Sequence, residues 1–460
     1  MSETAAPSVF DTHCHLSYSG LAERSGEVVR RAAGAGVRGI LTLGTDTASS
    51  ARCLQLAREL PGVHAAAGVH PNETPELDAD RCMLEVARMA LQPQTIAVGE
   101  TGLDLHHQRA PLELQSAWLQ RHAELAFGLN LPLVVHSRSA EAECLELLPE
   151  SPRFPVVMHC YTGPDGEALR AAERGYWIGF AGPLTFKSNS RLRDLAARLP
   201  SDRIVVETDA PFLAPEPVRG GPSEPAMVVH TAKAAAKAMG LEGPRGMERL
   251  WSNSTALLGL EEHPRTDLLY VLGSNLYVNL TGQCDNDCRF CVRKRSAGLG
   301  GYHLRHHGRD PEEDRLEKAM ELVEPGDFAE VVFCGYGEPT MRPELLRRLA
   351  ASARARGGRT RLNTNGLAGG RLPSDALRRM LAPFDSVSVS LNASTPQQYA
   401  RICRPSRPGA WKRLMDFLSL LREMDADATL TAVAGSGADL RACAALAGRL
   451  GFPFRRRGDR

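Results

Sequence analysis

The sequence predicts an α/β protein of two barrels in tandem, a closed parallel (β/α)8 barrel followed by a partial (β/α)6 barrel. Three observations carry this expectation. Short β-branched apolar runs alternate with longer Ala-, Leu-, Arg- and Glu-rich stretches of helical period along nearly the whole chain. Ligand-type polar residues recur at the carboxyl ends of those runs, the place where a parallel barrel gathers its catalytic loops. The alternation breaks once, at a Glu-Glu-His-Pro-Arg-Thr-Asp segment that has no period and carries a proline. That break sets the expected domains: residues 1–260, a linker over 261–267, and residues 268–460.

In the first domain the expected strands are 9–15, 39–44, 64–70, 96–103, 131–137, 155–162, 176–182 and 203–209. In the second they are 276–280, 329–334, 359–362, 386–391, 428–433 and 452–454. The Arg-Arg-Arg-Gly-Asp-Arg run at 455–460 reads most simply as a solvated tail, the alternative being a phosphate-binding role.

Composition narrows the classes of function. A chain of 460 residues suits two or three domains. Lys plus Arg number 55 against 54 Asp plus Glu, which argues against a strongly basic protein that coats nucleic acid. Apolar residues at 43% and charged ones at 24% are ordinary for globular cores. The first ten residues have neither a basic nor an apolar segment of the kind a secretory signal needs, and no later run has the length of a membrane span. A soluble cytoplasmic protein with no membrane partner is therefore expected. Eleven cysteines are few for a disulfide framework of this size, so thiols that are free, catalytic or metal-bound are expected. Tandem repeats and low-complexity segments are absent from the sequence.

Six residues carry the chemistry of the first domain. His13 and His15 stand two apart on one strand, so both imidazoles face the same side. Glu100, His136, His159 and Asp209 each end a further apolar run. A single strand-end histidine is more often structural, but recurrence at one register points to a metal. Imidazole and carboxylate without thiolate suit zinc, manganese, iron or magnesium. A carboxylate can bridge two ions, a pairing that serves phosphodiester displacement, and Glu100 is the expected bridge.

These motifs resemble the TatD family of metal-dependent deoxyribonucleases, within the wider amidohydrolase-like TIM barrels. They read Phe-Asp-Thr-His-Cys-His-Leu (10–16), Gly-Val-His-Pro (68–71), Gly-Glu-Thr-Gly-Leu-Asp (99–104), Val-His-Ser-Arg (135–138), His-Cys-Tyr-Thr-Gly (159–163) and Glu-Thr-Asp-Ala-Pro-Phe-Leu (207–213). The resemblance implies one divalent ion (Mg, Mn, Zn or Fe) on His13, His15, Glu100 and Asp209, and a second on Glu100, His136 and His159. Asp209 would also orient the attacking water as base. His70, Asp104, Arg138 and Glu207 would contact substrate or support the ligands. After Gly-Leu-Asp the family tends to place an aromatic ring, where this chain has Leu105 followed by His106 and His107; both histidines read as exposed loop residues.

In the second domain Cys284, Cys288 and Cys291 form C-x3-C-x2-C directly after an apolar strand. Structural zinc wants four ligands, usually as two pairs, so three thiols on one loop fit it poorly. A [4Fe-4S] cluster held by three thiolates keeps one iron open. With Phe-Cys-Gly-Tyr-Gly-Glu-Pro (333–339), Asn-Thr-Asn-Gly (363–366) and Ser-Val-Ser-Leu-Asn-Ala (388–393), this motif resembles the radical S-adenosylmethionine superfamily. The resemblance implies that the three cysteines ligate iron, that Gly337 and Glu338 receive the methionine amine of S-adenosyl-L-methionine, and that a reductant supplies the electron. Cys334, Cys403 and Cys443 read as buried free thiols. A barrel that ends near its sixth strand suits a large substrate or a partner polypeptide that closes it.

The pairing is similar to TatD-associated radical SAM proteins. The expected function is a single-strand-directed metal-dependent phosphodiesterase or deoxyribonuclease, exonuclease-like, fused to a radical SAM enzyme. A second reading keeps the barrel but takes a small amide, ester or lactone as substrate. In a third, one half is a non-catalytic binding module, which the full ligand sets in both halves argue against.

Overall fold

Eight parallel strands follow one another in chain order around the N-terminal unit: β1 (Val9–Cys14), β2 (Val37–Leu43), β3 (Val63–Ala67), β4 (Thr95–Asp104), β5 (Leu133–Arg138), β6 (Val156–Met158), β7 (Trp177–Phe180) and β8 (Ile204–Val206). A parallel bridge between Cys14 and Ala210 brings the first and last strands together, giving a nearly closed (β/α)8 barrel. The computed structural model describes residues 8–74, 78–261 and 263–458, and the chain divides into two units between Arg265 and Thr266.

The amino-terminal side of this barrel is apolar. Phe10, Leu41, Leu43, Ile96, Val134, Val157 and Val205 pack with Leu257 and Leu258 from the helix Pro244–Leu258. Each such side chain, fully buried, contributes roughly 1.5 to 3 kcal/mol. The polar side chains collect at the opposite, carboxyl side. β6 and β8 end earlier than their apolar runs: past Met158 and Val206 the chain turns out of the ladder, and His159 and Asp209 are carried by the loops.

The second unit holds β9 (Leu269–Leu272), β10 (Asn275–Asn279), β11 (Gly298–Leu299), β12 (Tyr302–His303), β13 (Val331–Cys334), β14 (Thr360–Thr364), β15 (Ser386–Ser390), β16 (Ala428–Val433) and β17 (Phe454–Arg457). Its main sheet has the order β17-β16-β15-β14-β13-β10-β9. Six of these strands are parallel, and β9 adds an antiparallel edge on β10 that the sequence reading lacked. The small β11–β12 hairpin was also not expected.

The C-terminal arginine run is the main correction. Residues 455–457 are not a solvated tail: they pair in parallel with Thr431, Ala432 and Val433 and complete the sheet. Three successive arginines hide a strand because charge masks the apolar period, whereas an edge strand tolerates charge. Asp459 and Arg460 lie outside the described residues.

The segment expected as a linker is divided. Arg265 donates from its backbone to Gly259 O (3.2 Å), whereas Asp267 donates to His303 O (2.7 Å); position 262 lies outside the described residues. Among the described residues no helix is long and apolar enough to cross a membrane.

Candidate metal centre and cysteine loop

The register of β1 slips between Asp11 and Cys14, next to the two histidines. The His13 and His15 Nε2 atoms come within 3.3 Å of each other, and both rings are buried. Asp11, also buried, accepts from the backbone and hydroxyl of Thr208 (2.9 and 2.7 Å), which ties β1 to the chain leaving β8. Asp209 donates from its backbone to His13 O and holds a positive φ of 57°, so its carboxylate turns back toward the histidines. The Asp209 Oδ1 atom stands 3.7 Å from His13 Nε2 and 3.5 Å from His15 Nε2.

Glu100 arrives on a second irregularity, a shift in the β4–β5 register between Val98 and Thr101. Gly99 has φ +137°, and a Cβ there would lie 2.7 Å from Val134 O. Only glycine lets β4 pass this close. The Glu100 Oε2 atom lies 3.4 Å from His13 Nε2 and 3.5 Å from His15 Nε2. A tetrahedral ion with bonds of about 2.0 to 2.2 Å needs donor atoms roughly 3.3 to 3.6 Å apart, so this donor set fits one divalent metal.

The other oxygen faces a second set. Glu100 Oε1 is 2.8 Å from His159 Nε2, 2.9 Å from His136 Nδ1 and 3.6 Å from His70 Nε2. His70 thus joins the centre more intimately than a supporting role requires. Its Nδ1 accepts from the Asn72 backbone (3.1 Å), which directs Nε2 at Glu100. Burial pushes the His70 pKa down to about 3, so the ring is neutral and able to serve as a ligand. Burial alone would raise the Glu100 carboxyl; the charge of His159, foremost among the imidazoles around it, outweighs that and holds the group well below the usual carboxylate range. Burial likewise opposes charge on His159, and Glu100 more than offsets that. The centre therefore favours positive charge around one buried carboxylate.

The remaining motif residues stand one layer out. Glu207 Oε1 lies 3.4 Å from His159 Nδ1 and accepts from the Cys160 backbone. Asp104 Oδ2 lies 3.4 Å from His136 Nε2 and accepts from Asn72 Nδ2 (2.9 Å). A carboxylate behind an imidazole fixes ring orientation and raises ligand basicity. His107 is not a bare loop residue, since its Nδ1 meets Asp104 Oδ2 at 2.8 Å. Gly102, at φ +144°, sits where a Cβ would lie 1.9 Å from His136 O. Gly102→Ala is expected to cost about 1 to 3 kcal/mol, read as a lower melting temperature, and to reduce metal occupancy by displacing His136.

Two cavities, of about 1010 and 500 Å3, open at this end of the barrel and share His136, Arg138, His159, Asp209 and Leu213 as lining. The larger adds His106 and Arg191; the smaller adds Tyr18, Phe212 and Arg109. Tyr18 stacks on His15 with centroids 4.8 Å apart, and the half-exposed Phe212 stands edge-on to Tyr18 at 5.9 Å. The sequence reading looked for a ring after Gly-Leu-Asp and missed this pair. The available signal was an aromatic within three residues of a ligand on each of two strand-end loops.

In the second unit the cysteine loop is pinned by a segment distant in sequence. Asp287 and Arg289 donate from their backbones to Arg404 O and Ile402 O (both 3.0 Å), and Asn286 Nδ2 donates to Tyr399 Oη (3.0 Å). Asp285 pairs with Arg371 and accepts from Asn365 Nδ2. Cys403, between the two residues that hold the loop, is buried. Burial, then Glu338, pushes the Cys284 thiol up to about 12, so a thiolate there calls for a cation. Among the described residues the ligand sets gathered within 4.8 Å all lie in the first barrel. The three cysteines are spaced more widely, which suits thiolates on different irons better than one tetrahedral zinc.

Gly337 passes close to this loop: a Cβ would lie 2.2 Å from Thr281 O and 2.6 Å from Gln283 O. Glu338 is buried, and both its oxygens are engaged. Oε1 accepts from Thr340 Oγ1 and Thr364 Oγ1 (2.7 Å each), and Oε2 accepts from the Asn365 backbone (2.7 Å). Its carboxylate joins the β13 and β14 loops, so an incoming amine would meet the backbone strip around Gly337.

Each half matches a known family. The profile of TatD-related DNases matches residues 10–259, and that of the radical SAM superfamily matches residues 278–445. An uncharacterized metal-dependent hydrolase, YabD, of Bacillus subtilis is 31% identical over 231 residues, half of this chain and 90% of that protein. The 3'-5' ssDNA/RNA exonuclease TatD of Citrobacter rodentium is 32% identical over 259 residues, 55% of this chain and 98% of that protein. The crystal structure of a TatD homologue from Escherichia coli K12 superposes with a TM-score of 0.51 at 28% identity, covering 55% of this chain and 98% of that one.

Proposed function

The chain belongs to the TatD-related DNase family through its first domain and carries a radical SAM domain after it, and from that premise we propose that it is a two-site enzyme. Its first site hydrolyses phosphodiesters of single-stranded nucleic acid from an end; its second carries out radical chemistry with S-adenosylmethionine. The observation that carries the first half is the division of Glu100, one oxygen to His13, His15 and Asp209, the other to His136, His159 and His70.

Divalent metals held by these residues would polarise the scissile phosphate and lower the pKa of water near it. Asp209 borders both cavities, so its carboxylate can take the proton of the attacking water. Arg138, shared by the two cavities, meets the phosphate charge. Glu207 and Asp104 hold His159 and His136 in place. Two cavities that share this centre as lining leave room for the nucleotides upstream of a terminal bond, which favours a polymer over a small amide or ester. The test is hydrolysis of a 3'-labelled single-stranded oligonucleotide against p-nitrophenyl acetate by the metal-loaded chain. Turnover of the ester alone would replace the nuclease reading with the amidohydrolase one.

Tyr18 and Phe212 would stack a base. One such contact contributes about 1 to 3 kcal/mol, so Phe212→Ala is expected to raise KM for oligonucleotide roughly 5- to 150-fold with little change in kcat. KM for an oligonucleotide abasic at its terminal positions, which has no base to stack there, should stay put.

For the second half, Cys284, Cys288 and Cys291 would hold a [4Fe-4S] cluster, and the Gly337–Glu338 strip would receive the methionine end of the cofactor. The bound pair would supply a 5'-deoxyadenosyl radical on reduction by an external electron donor. The Asp285, Asn365 and Arg371 network keeps the loop fixed while the cluster assembles.

A further inference from the structure

A parallel sheet normally buries both faces in apolar side chains; the second unit departs from this on one face. Leu276, Val278, Phe333, Leu362, Val387, Val389 and Leu430 fill one side and are buried. The alternate residues are largely polar and come from every parallel strand. Tyr277 lies on β10, Cys334 on β13, Arg361 on β14, Ser386 and Ser388 on β15, Thr429 and Thr431 on β16, and Arg457 on β17. No strand of this sheet contains an Asp or Glu.

Arg457 spans this face. From β17 it reaches across β16 and donates through Nη2 to Ser388 Oγ at 2.8 Å. Tyr277 and Cys334, on the far strands, are close enough to act on its charge, as are Arg455 and Arg361. Arg361 is paired with Glu330 (2.9 Å). Among the described residues no carboxylate comes within ion-pair distance of Arg457. Ser386, in register with Arg361, has a buried hydroxyl without a hydrogen-bond partner. A half-buried guanidinium facing two others, with one neutral acceptor, is costly unless an anion joins it. Cys334 leads directly into the Gly335–Glu338 turn beside the cysteine loop, so the polar face adjoins the place where the radical would form.

We propose that Arg457 makes this face an anion subsite of the second domain, which receives a small molecule bearing an anionic oxygen group, a carboxylate or a phosphate. The inference rests on the radical reading only for what happens to the bound molecule. Anion binding needs neither cluster nor cofactor turnover, so the two can fail separately. The Arg fork matches either oxyanion in bidentate fashion.

The experiment is calorimetric titration of inorganic phosphate, and separately of succinate, into full-length protein dialysed against EDTA to remove first-site metals, with Arg138→Ala titrated alongside to subtract what the first site still binds. Wild type is expected to bind one of the two probes at one per chain, the tighter probe identifying phosphate or carboxylate. Arg457→Gln is expected to weaken it at least tenfold, and Arg457→Lys less, because charge survives but the fork is lost. If Arg457→Gln does not fold, as judged by near-UV circular dichroism, Arg361→Gln carries the same expectation. Wild type that binds neither probe at millimolar concentration, or folded Arg457→Gln that binds like wild type, overturns the proposal.

Discussion

Glu100→Ala is expected to empty both metal positions at once and to lower kcat/KM on single-stranded oligonucleotide by at least about 10^3-fold, some 4 kcal/mol of transition-state stabilisation. The reason is geometric. One buried carboxylate sends Oε2 to His13 and His15 and Oε1 to His136, His159 and His70. Among the described residues no other carboxylate pairs with both sets through its separate oxygens. His15→Ala removes a donor from one set only, so it should retain about one metal equivalent where Glu100→Ala retains none. The barrel should stay folded in each case, since its apolar core, around Phe10, Ile96 and Val134, contains none of the ligands. Metal analysis beside thermal unfolding checks this. Wild-type metal content and turnover in Glu100→Ala would sink the two-metal assignment.

The second large effect is expected from the triple change of Cys284, Cys288 and Cys291 to Ala. Protein purified without oxygen should lose its iron, its sulfide and its brown absorption, and release no 5'-deoxyadenosine under reductant. Hydrolysis by the first domain should stay within about twofold of wild type, because every ligand proposed for it precedes residue 210 and the cysteine loop is pinned within its own unit by residues 402–406. A wild-type chain that takes up zinc and no iron under the same conditions would remove the radical reading.

Much of this was legible in the sequence because strands of a parallel barrel advertise themselves twice, by an apolar run and by a polar residue where the run ends. His13, His15, Glu100, His136, His159 and Asp209 are found that way, and each stands at the centre. Glu338 shows the limit of the method. Its type and place suggest an amine ligand, but the donors that occupy its carboxylate come from Thr340, Thr364 and Asn365, the last two at the end of β14. The part taken by His70 was hidden similarly. Its ring is aimed by a hydrogen bond from Asn72 that no periodicity records.

Two βα domains, the succession of their parallel strands and the strand ends at which chemistry gathers follow from local pattern and from the fixed geometry of a parallel barrel. Which oxygen of Glu100 serves which histidines, that Tyr18 meets Phe212, and that an arginine run forms the edge of a sheet and turns Arg457 across its polar face are settled only by folding. Each of those is a contact between segments far apart in the chain, and it depends on strand register and side-chain direction, which a one-dimensional pattern does not contain.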